Sequence, residues 1–534
     1  MGMTNSPGPR AVTIAVRHAR EGGPLSKRAW ALREAFGVES AEETVSLAPV
    51  SVSLDGITLV TGFSGTGKSS VLRELSRLAK VRTVADLPPH GPTDRVIDLF
   101  DGEVGATVSW LGRFGLGEPR LMMSRPEHLS DGQRHRLTLA RLARTGGGDG
   151  SEGGGGEGGD GFDLIVVDEF CSNLDRTTAK VIAHNFQRVC RSLRLNAVVA
   201  TAHDDLHEFL SPDEHLRLDF DGTARKTVGA YVPGRRIERW IGEEFAESAG
   251  DRADYEQLAD YHYRVEDERW IDWENLVTEV RTIRVGGTLA AVKVFCRPFP
   301  REFEALETLR RINGSVLLQE RVIVHPAFRG LSLNARMWPE SGSESGSGSS
   351  GVPPAEPERK TVFAQSALGR LFPFHLRAGY RAVEHPSETP AREQIDLAAA
   401  LRRHDPGINA NSTRAIAALL TALPEEGLSE IRELASAAFV IATRRQIVFL
   451  AELAGLEARE ADLDFVGRAS LEAARTADPA SLAVLVETAT PFRMAGFIRH
   501  WSPEHGWRVT TNGTHDDEAT PADPATAPVA AAGR

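Results

Sequence analysis

Ile57-Thr-Leu-Val-Thr-Gly62-Phe-Ser-Gly-Thr-Gly-Lys68-Ser69 is the stretch of sequence that decides the fold of this chain. Its apolar start is typical of a buried parallel strand. From Gly62 onward it matches GxxxxGK[ST] in every fixed position. Glycines there let backbone N–H groups turn inward around phosphate oxygens, and a following helix adds its positive N-terminus. The stretch therefore predicts an α/β fold with a nucleoside triphosphate site.

The residues of this loop have separate expected roles. Lys68 is expected to reach the β- and γ-phosphates, and the Ser69 hydroxyl is expected to ligate Mg²⁺. We expect the triphosphate to be bound by Gly62, Ser64, Gly65, Thr66, Gly67, Lys68, Ser69 and Ser70.

Two further apolar runs end in polar residues. Phe162 to Val167 is followed by Asp168 and Glu169, and Val198 to Ala202 by His203. Asp168 is expected to hold Mg²⁺ through water, and Glu169 to polarise the attacking water as general base. A single acid there would be explained by a helix cap, and a histidine after a strand is more often structural. In this ordered series we favour His203 as a γ-phosphate sensor.

Leu129-Ser130-Asp131-Gly132-Gln133 and Ser172-Asn-Leu-Asp175 complete the series. With the loop, Asp168-Glu169 and His203, they resemble the ATP-binding-cassette (ABC) ATPases over about residues 45 to 215. The resemblance implies two domains packed head to tail around two ATP molecules. Ser130, Gly132 and Gln133 of one subunit would then face the γ-phosphate held by Lys68 of the other.

Two departures from this pattern stand out. No glutamine occurs between Ser70 and Gly132, so the loop that usually contacts Mg²⁺ and couples to a transport partner is missing. Asp98, Asp101 and Glu103 are the candidate substitutes. Phe36 is a weak candidate for stacking on adenine.

Composition narrows the class of protein. The 534 residues are 41% hydrophobic and 25% charged, with a net charge of −12 that gives no support for a general polyanion-binding surface. The three cysteines have no metal-ligand spacing, which fits a reducing cytoplasm. We expect no membrane span, because the apolar stretch 437–456 carries Arg444 and Arg445.

Low-complexity stretches and motif order predict the domains. An ATPase domain is expected at 1–230 with a Gly-rich insertion at 146–161, followed by a second α+β domain at 231–385 with a Ser/Gly/Pro-rich insertion at 340–358. A helical domain is expected at 386–506, and a disordered tail at 507–534.

The second domain contains a series of predicted strands and a short helix. Residues 282–295 predict a hairpin around Gly286-Gly287, with further strands at 321–326 and 361–367 and a short helix and strand at 373–383. Together with Val322, Val324, Pro326, Arg329 and Gly330, and with Pro-Phe-x-x-x-x-Gly-Tyr at 373–380, this order resembles the GCN5-related N-acetyltransferases (GNAT). A helix is expected to open near Asn334.

This resemblance implies acetyl-CoA as a second cofactor. The residues expected to bind it are Val322, Val324, Arg329, Gly330, Ser332 and Asn334, where Ser332 and Asn334 replace the family's glycines. His375 takes the place of the family's general-acid tyrosine. Tyr261-His-Tyr-Arg264 is expected either to line an acceptor site or to belong to an aromatic core, and Glu320 is a possible base or a surface residue.

The combined reading is a cytoplasmic ATPase homodimer whose nucleotide cycle gates an acyltransferase. Acetyl transfer from acetyl-CoA does not require ATP, so the ATPase is expected to act mechanically on a macromolecular acceptor, RNA, DNA or protein. The alternatives are a DNA-repair-like ATPase carrying a non-catalytic GNAT-fold binding module, and the ATPase subunit of a transporter.

Overall fold

The computed structural model describes most of the chain outside its insertions and termini. The described residues are 10–19, 24–37, 44–46, 48–144, 164–229, 231, 245–262, 271–339, 361–366, 374–410, 412–490 and 495–500. The predicted insertions at 146–161 and 340–358 and the predicted tail at 507–534 lie outside these residues, as do Tyr263 and Arg264.

Two compact units make up the chain. The first contains Met1–Glu243 together with Pro326–Leu331, and the second contains Glu244–His325 and Ser332–Arg534. The six residues Pro326–Leu331 therefore belong to the first unit, although the sequence predicted them as part of the second domain.

The first unit is built on a mixed sheet of six strands. The strands of the whole first unit are β1 (Ala11–Ile14), β2 (Arg17–Ala19), β3 (Thr44–Ser46), β4 (Val50–Ser53), β5 (Ile57–Gly62), β6 (Val81–Arg82), β7 (Leu164–Val167), β8 (Ala197–Thr201), β9 (Glu214–Leu218) and β10 (Ala224–Val228). The large sheet has the order β10-β9-β5-β8-β7-β6, and β1-β4 and β2-β3 form two-stranded sheets. Every residue of β5 and β7 is buried, as the apolar runs predicted.

Helices cover the sheet of the first unit. They are α1 (Lys27–Phe36), α2 (Lys68–Leu78), α3 (Val104–Arg113), α4 (Pro119–Met122), α5 (Asp131–Arg144), α6 (Arg176–Ser192) and α7 (His207–Leu210). Helix α2 buries Val71, Leu72 and Leu75, which share one face at helical spacing. They pack with Val60 and Leu216 in one apolar cluster, which fixes the helix that follows the phosphate loop.

The second unit contains a seven-stranded sheet. Its strands are β11 (Phe245–Ala249), β12 (Val277–Val285), β13 (Thr288–Cys296), β14 (Val316–Val324), β15 (Thr361–Ser366), β16 (Arg381–Val383) and β17 (Ala495–His500), in the order β11-β12-β13-β14-β15-β17-β16. The β12–β13 hairpin turns at Gly286 and Gly287, both with positive φ, as two-residue hairpin turns require. Strand β14 is parallel to β15, and the other pairs in the sheet are antiparallel.

Most helices of the second unit occur, in sequence, between β16 and β17. They are α8 (Arg252–Leu258), α9 (Glu307–Ser315), α10 (Phe374–Arg377), α11 (Arg392–His404), α12 (Thr413–Ala422), α13 (Glu425–Leu453), α14 (Glu460–Thr476) and α15 (Pro479–Ala489). The predicted helical domain at 386–506 needs a correction, because β17 within it pairs with β15 and β16. Helices α11 to α15 are thus an insertion into the sheet unit.

Helix α13 belongs to both cores of the second unit. Its first half contributes Ile431 and Ala435 to the helical cluster, and its second half contributes Ile447 and Leu450 to a cluster with Phe363 of β15. Among the described residues α13 alone passes the length and apolarity test for a membrane span, with 39% of its most apolar window buried. Because the core helix of a soluble protein passes the same test, the expected absence of a membrane span stays a prediction.

One expected helix does not form. Between Pro326 and Pro339 the described chain contains only two single 3₁₀ turns, Pro326–Phe328 and Leu333–Ala335. No helix N-terminus near Asn334 therefore offers the anion site that the sequence predicted.

Replacing Phe497 tests whether β17 belongs to the core. Phe497 is 1% exposed and packs with Phe295, Val362 and Tyr380. Phe497→Ala is expected to lower the free energy of unfolding by about 3–5 kcal/mol, since it leaves a cavity. Denaturant unfolding of the full chain, followed by circular dichroism, measures the change.

Phe465→Ala is the matched control. Phe465 lies on α14 and is 48% exposed, so its replacement should change the free energy by no more than about 0.5 kcal/mol. Equal unfolding midpoints for the two variants would contradict the place of β17 in the sheet.

Candidate functional site

The predicted phosphate-binding and catalytic residues follow three neighbouring strands. β5 pairs with β8 and β8 pairs with β7, all in parallel. The carboxyl ends of parallel strands meet at one edge of a sheet, where ligands of open α/β sheets bind. Gly62 ends β5, Asp168 directly follows β7, and His203 lies two residues after β8. The sheet therefore brings the three groups to one edge, as the motif order predicted.

The loop after β5 depends on glycine geometry. Gly62, Gly65 and Gly67 have φ of +148°, +86° and +95°. A Cβ at Gly62 would lie 2.5 Å from the carbonyl oxygen of Leu218 and 2.7 Å from Oγ1 of Thr66. Ser64, Gly65 and Ser69 are exposed, while Thr66 is 4% exposed and donates to the Phe63 carbonyl at 2.9 Å. This open cradle at the start of α2 fits a chain of phosphates.

Lys68 is folded over the loop. Its Nζ donates to the carbonyl oxygens of Gly62 at 2.7 Å and Phe63 at 2.8 Å. Burial lowers the pKa of Lys68, whereas the charges of Asp168 and Glu169 act to raise it. The ammonium therefore lies in the field of both acids. Ser69, Ser70 and Asp168 are at the same edge, and Ser69 with Asp168 would hold Mg²⁺ beside the phosphates.

The acidic turn after β7 has a strained backbone. Glu169 and Cys171 have φ of 51° and 58°, a left-handed conformation that costs non-glycine residues about 1 kcal/mol each. The Cys171 N–H donates to Nε2 of His135 on α5 at 3.0 Å. His135 therefore holds the turn that presents Glu169, an exposed side chain. The sequence analysis missed this residue because no motif marks it.

The signature sequence begins α5 as a capping box. The Ser130 N–H donates to Oε1 of Gln133 at 2.9 Å, and the Gln133 N–H donates to Oγ of Ser130 at 3.3 Å. Ser130 is exposed, and Gly132 approaches Leu174, from which a Cβ would be 3.0 Å. The helix start thus presents an exposed hydroxyl and backbone N–H groups, which suit an anion from outside.

Asp98 and Asp101 are among the candidates for replacing the missing glutamine, and Phe36 is the candidate for adenine stacking. Asp98 accepts from the Arg95 N–H at 2.8 Å as a cap, and the Asp101 carbonyl accepts from Arg144 at 3.4 Å. Phe36, on α1, is 77% exposed. An exposed aromatic pair that the sequence analysis missed, Phe63 and Phe220, is stacked beside the loop with ring centroids 5.3 Å apart. Sequence separation hid this pair.

The residues expected to bind CoA are divided between the two units. Arg329 and Gly330 belong to the first unit, where Arg329 pairs with Glu118 at 2.8 Å. Ser332 and Asn334 belong to the second unit, as do Val322 and Val324 on β14. An Arg329-Gly330 loop engaged in this way does not fit the pyrophosphate site that the resemblance implied, and no helix follows it.

His375 lies inside a buried polar cluster of the second unit. Tyr380 donates to Oε1 of Gln319 at 2.5 Å, so the Gln319 amide N–H donates to Nε2 of His375 at 3.1 Å. Lys293, 0% exposed, donates to the Asn334 carbonyl at 2.8 Å. Burial lowers the pKa of His375 to about 3, and the charge of Lys293 adds to this. A neutral, enclosed His375 is a poor general acid, contrary to its expected role.

Of the residues expected to line an acceptor site, Tyr261 is 38% exposed and contacts the ring of His325. The nearby Tyr255 is 6% exposed and packs against Trp273, as in an aromatic core. Glu320 pairs with Arg321 at 2.7 Å.

Solved structures of known proteins match part of the chain. No family model matches, and no curated protein matches. The chain is similar to the dimeric structure of MJ0796, a bacterial ABC transporter cassette, at 18% identity over 35% of this chain and 93% of that chain, with a TM-score of 0.26. It is also similar to the ADP conformation of MJ1267, an ATP-binding cassette of an ABC transporter, at 16% identity over 34% and 85%, with a TM-score of 0.25.

The buried histidines predict acid sensitivity. Burial lowers the pKa of His375 to about 3 and that of His385 to about 4. The unfolded chain therefore binds protons that the folded chain excludes, and stability falls as pH drops below about 6.5. Each histidine should contribute a slope of about 1.4 kcal/mol per pH unit down to about pH 4.5.

Replacing one histidine isolates its contribution. His375→Gln should reduce the slope of unfolding free energy against pH by about 1.4 kcal/mol per unit, whatever it does to stability near pH 7. Denaturant titrations at several pH values measure the slope. An unchanged slope would show that His375 is not held neutral in the folded state.

Proposed function

We propose that the chain is an ABC-type ATPase that dimerises around ATP. The observation that carries this proposal is the shared edge of β5, β7 and β8, which collects the phosphate loop, Asp168-Glu169 and His203. Lys68 and the loop N–H groups bind the phosphates, and Glu169 orients and deprotonates the attacking water. Mg²⁺, held by Ser69 and Asp168, supplies charge neutralisation of the phosphates.

The signature sequence supports a homodimer. Ser130 is exposed at the start of α5, yet neither Ser130 nor Gln133 contacts the phosphate loop in the described contacts of one subunit. A second copy, packed head to tail, would place this helix start against the γ-phosphate. Each ATP would then be enclosed by both subunits, so nucleotide and dimer would be coupled.

Glu169→Gln tests this function directly. Loss of the general base should slow hydrolysis by about 10²–10⁴-fold while leaving ATP binding intact, so the variant accumulates as an ATP-bound dimer. Light scattering with and without Mg²⁺-ATP measures its mass, and phosphate release measures the rate.

Two controls accompany this experiment. Glu34→Gln, at an exposed position on α1, should behave as the wild type. Lys68→Met should neither bind ATP nor dimerise. A Glu169→Gln chain that stays monomeric under saturating ATP would contradict the dimer, and an unchanged rate would remove Glu169 from the site.

A second candidate activity is acyl transfer by the second unit. The element order behind the GNAT resemblance, a hairpin, a long strand, a parallel neighbour and a short helix before β16, is the order observed. The β14–β15 pairing covers only Val316↔Thr361 to Gln319↔Ala364, whereas β14 runs on to Val324. The register of the neighbouring β13–β14 pairing shifts at Glu320. The proposal places the cofactor on β14 beyond its pairing with β15.

In this second proposal the ATP cycle gates transfer from acetyl-CoA to a macromolecular acceptor, RNA, DNA or protein. Arg329 and Gly330 do not fit the cofactor, so binding would rest on β14, including Val322 and Val324. The three described cysteines are buried and free, which favours a reducing, cytoplasmic setting.

Labelled acetyl-CoA tests the acyl-transfer proposal. The full chain is incubated with it and ATP, together with separate tRNA, DNA and protein fractions, and label in each fraction is counted. Transfer to one fraction identifies the acceptor class. No transfer and no acetyl-CoA binding by calorimetry would favour a non-catalytic binding module, which DNA-stimulated ATP hydrolysis would then support. Recovery with membranes would instead favour a transporter subunit.

A further inference from the structure

A short segment of the chain connects β14 to the first unit. β14 ends at Val324, and two residues later Pro326–Leu331 lies among residues of the first unit. Phe328 is 3% exposed and Leu331 is 7% exposed, so two apolar side chains anchor the segment. We call Pro326–Leu331 the anchored segment.

Polar contacts fix the middle of the anchored segment. Nη1 of Arg329 donates to Oε1 of Glu118 at 2.8 Å, and these side chains are 15% and 29% exposed. Nδ2 of Asn185 on α6 donates to the Arg329 carbonyl at 3.3 Å. Gly330 has φ of +89°, and a Cβ there would lie 2.3 Å from Nδ2 of Asn185. The close approach of Asn185 therefore accounts for glycine at this position.

The same residues connect to the signature helix. Arg136 on α5 is 8% exposed, and it donates from Nε to the Gly132 carbonyl at 3.3 Å and from Nη1 to the Gly115 carbonyl at 2.9 Å. A Cβ on Gly115 would lie 2.7 Å from Nη1 of Arg136 and 3.4 Å from the Pro326 carbonyl oxygen. Gly115 thus lies between the signature helix and the anchored segment.

Glu118 is shared by two arginines. It pairs with Arg329 and also interacts electrostatically with Arg136, whose own pKa is lowered by burial and raised again by Glu118. Solvent and salt screen partly buried charges only weakly. A displacement of either guanidinium group therefore changes the electrostatic energy of the Glu118 carboxylate. Gly132 and Arg136 are joined by a hydrogen bond, Arg136 and Glu118 by an electrostatic interaction, and Glu118 and Arg329 by an ion pair.

We propose that the anchored segment is a built-in coupling peptide, through which the state of the ATP-binding signature Ser130–Gln133 is transmitted to β14. The proposal rests on the proposed ATPase dimer. ATP of a second subunit that engages Ser130 and Gly132 fixes the start of α5. Arg136 transmits a displacement of this helix start to Gly115 and Glu118. Arg329 transmits it from Glu118 to the anchored segment, which is continuous in sequence with β14. The partner that this surface of the first unit fits is therefore a segment of its own chain.

Hydrogen exchange in the full chain measures the coupling. In the Glu169→Gln background, ATP should slow amide exchange in residues 326–331 by about five- to tenfold. Arg329→Gln and Glu118→Gln should each remove most of this ATP-dependent protection. The double variant should lose no more than either single one, because both remove the same pair.

Arg77→Gln is the matched control for Arg329→Gln. Arg77 is also ion-paired, with Glu74, but its side chain is 66% exposed, so the ATP-dependent protection at 326–331 should be unchanged. Asn185→Ala, which removes an uncharged anchor of the same segment, should reduce the protection independently of charge.

The outcomes separate the coupling from the ATPase. One outcome is that the wild type hydrolyses ATP but ATP does not change amide exchange at 326–331 in Glu169→Gln. That result would overturn the coupling and leave the proposed ATPase intact. Full protection in Arg329→Gln and Glu118→Gln would overturn it as well. Absence of ATP binding and hydrolysis in the wild type would overturn both proposals.

Discussion

Parallel pairing of β5, β8 and β7 is the constraint on which the candidate ATP site depends. Thr61 pairs with Thr201, and Val167 pairs with Val199, so the three strands end within three residues of one another along the sheet. The Phe170 N–H donates to the Ala200 carbonyl at 2.7 Å and ties the acidic turn to this edge. A slip of one residue would turn every side chain to the opposite face and separate loop, acids and histidine.

Local sequence predicted those parts of the fold that are encoded locally. The buried strand before Gly62, the hairpin at Gly286-Gly287 and the strand at 361–366 were all read from runs of apolar residues and turn glycines. β17 was not, because its partner β15 is separated from it by more than a hundred residues, most of them helical. A strand of six residues after a long helical region carries no local sign of where it pairs.

The anchored segment shows a second reason for incomplete prediction. The GNAT resemblance implies that Arg329 and Gly330 bind the pyrophosphate of CoA. The structure gives the same two residue types a different cause: Arg329 pairs with the half-buried Glu118, and Gly330 lies in close contact with Asn185. A sequence motif reflects the backbone conformation and charge that a position requires. Packing within the protein can impose the same requirements as ligand binding. His375 is a similar case, because enclosure by Gln319 and Tyr380 cannot be read from its position after Phe374.

Helix α5 unites these features in the first unit. Its first turn presents Ser130 through the capping box, its second turn holds the strained Cys171 N–H through His135, and Arg136 beside it holds Gly115. An α-helix of this length moves nearly as a rigid rod, because each turn is hydrogen-bonded to the next. In the proposed ATPase, a displacement at Ser130 would therefore reach both the turn that presents Glu169 and the residues around Glu118. Glu169 and the anchored segment would then respond to the same motion of α5, which would link hydrolysis to β14.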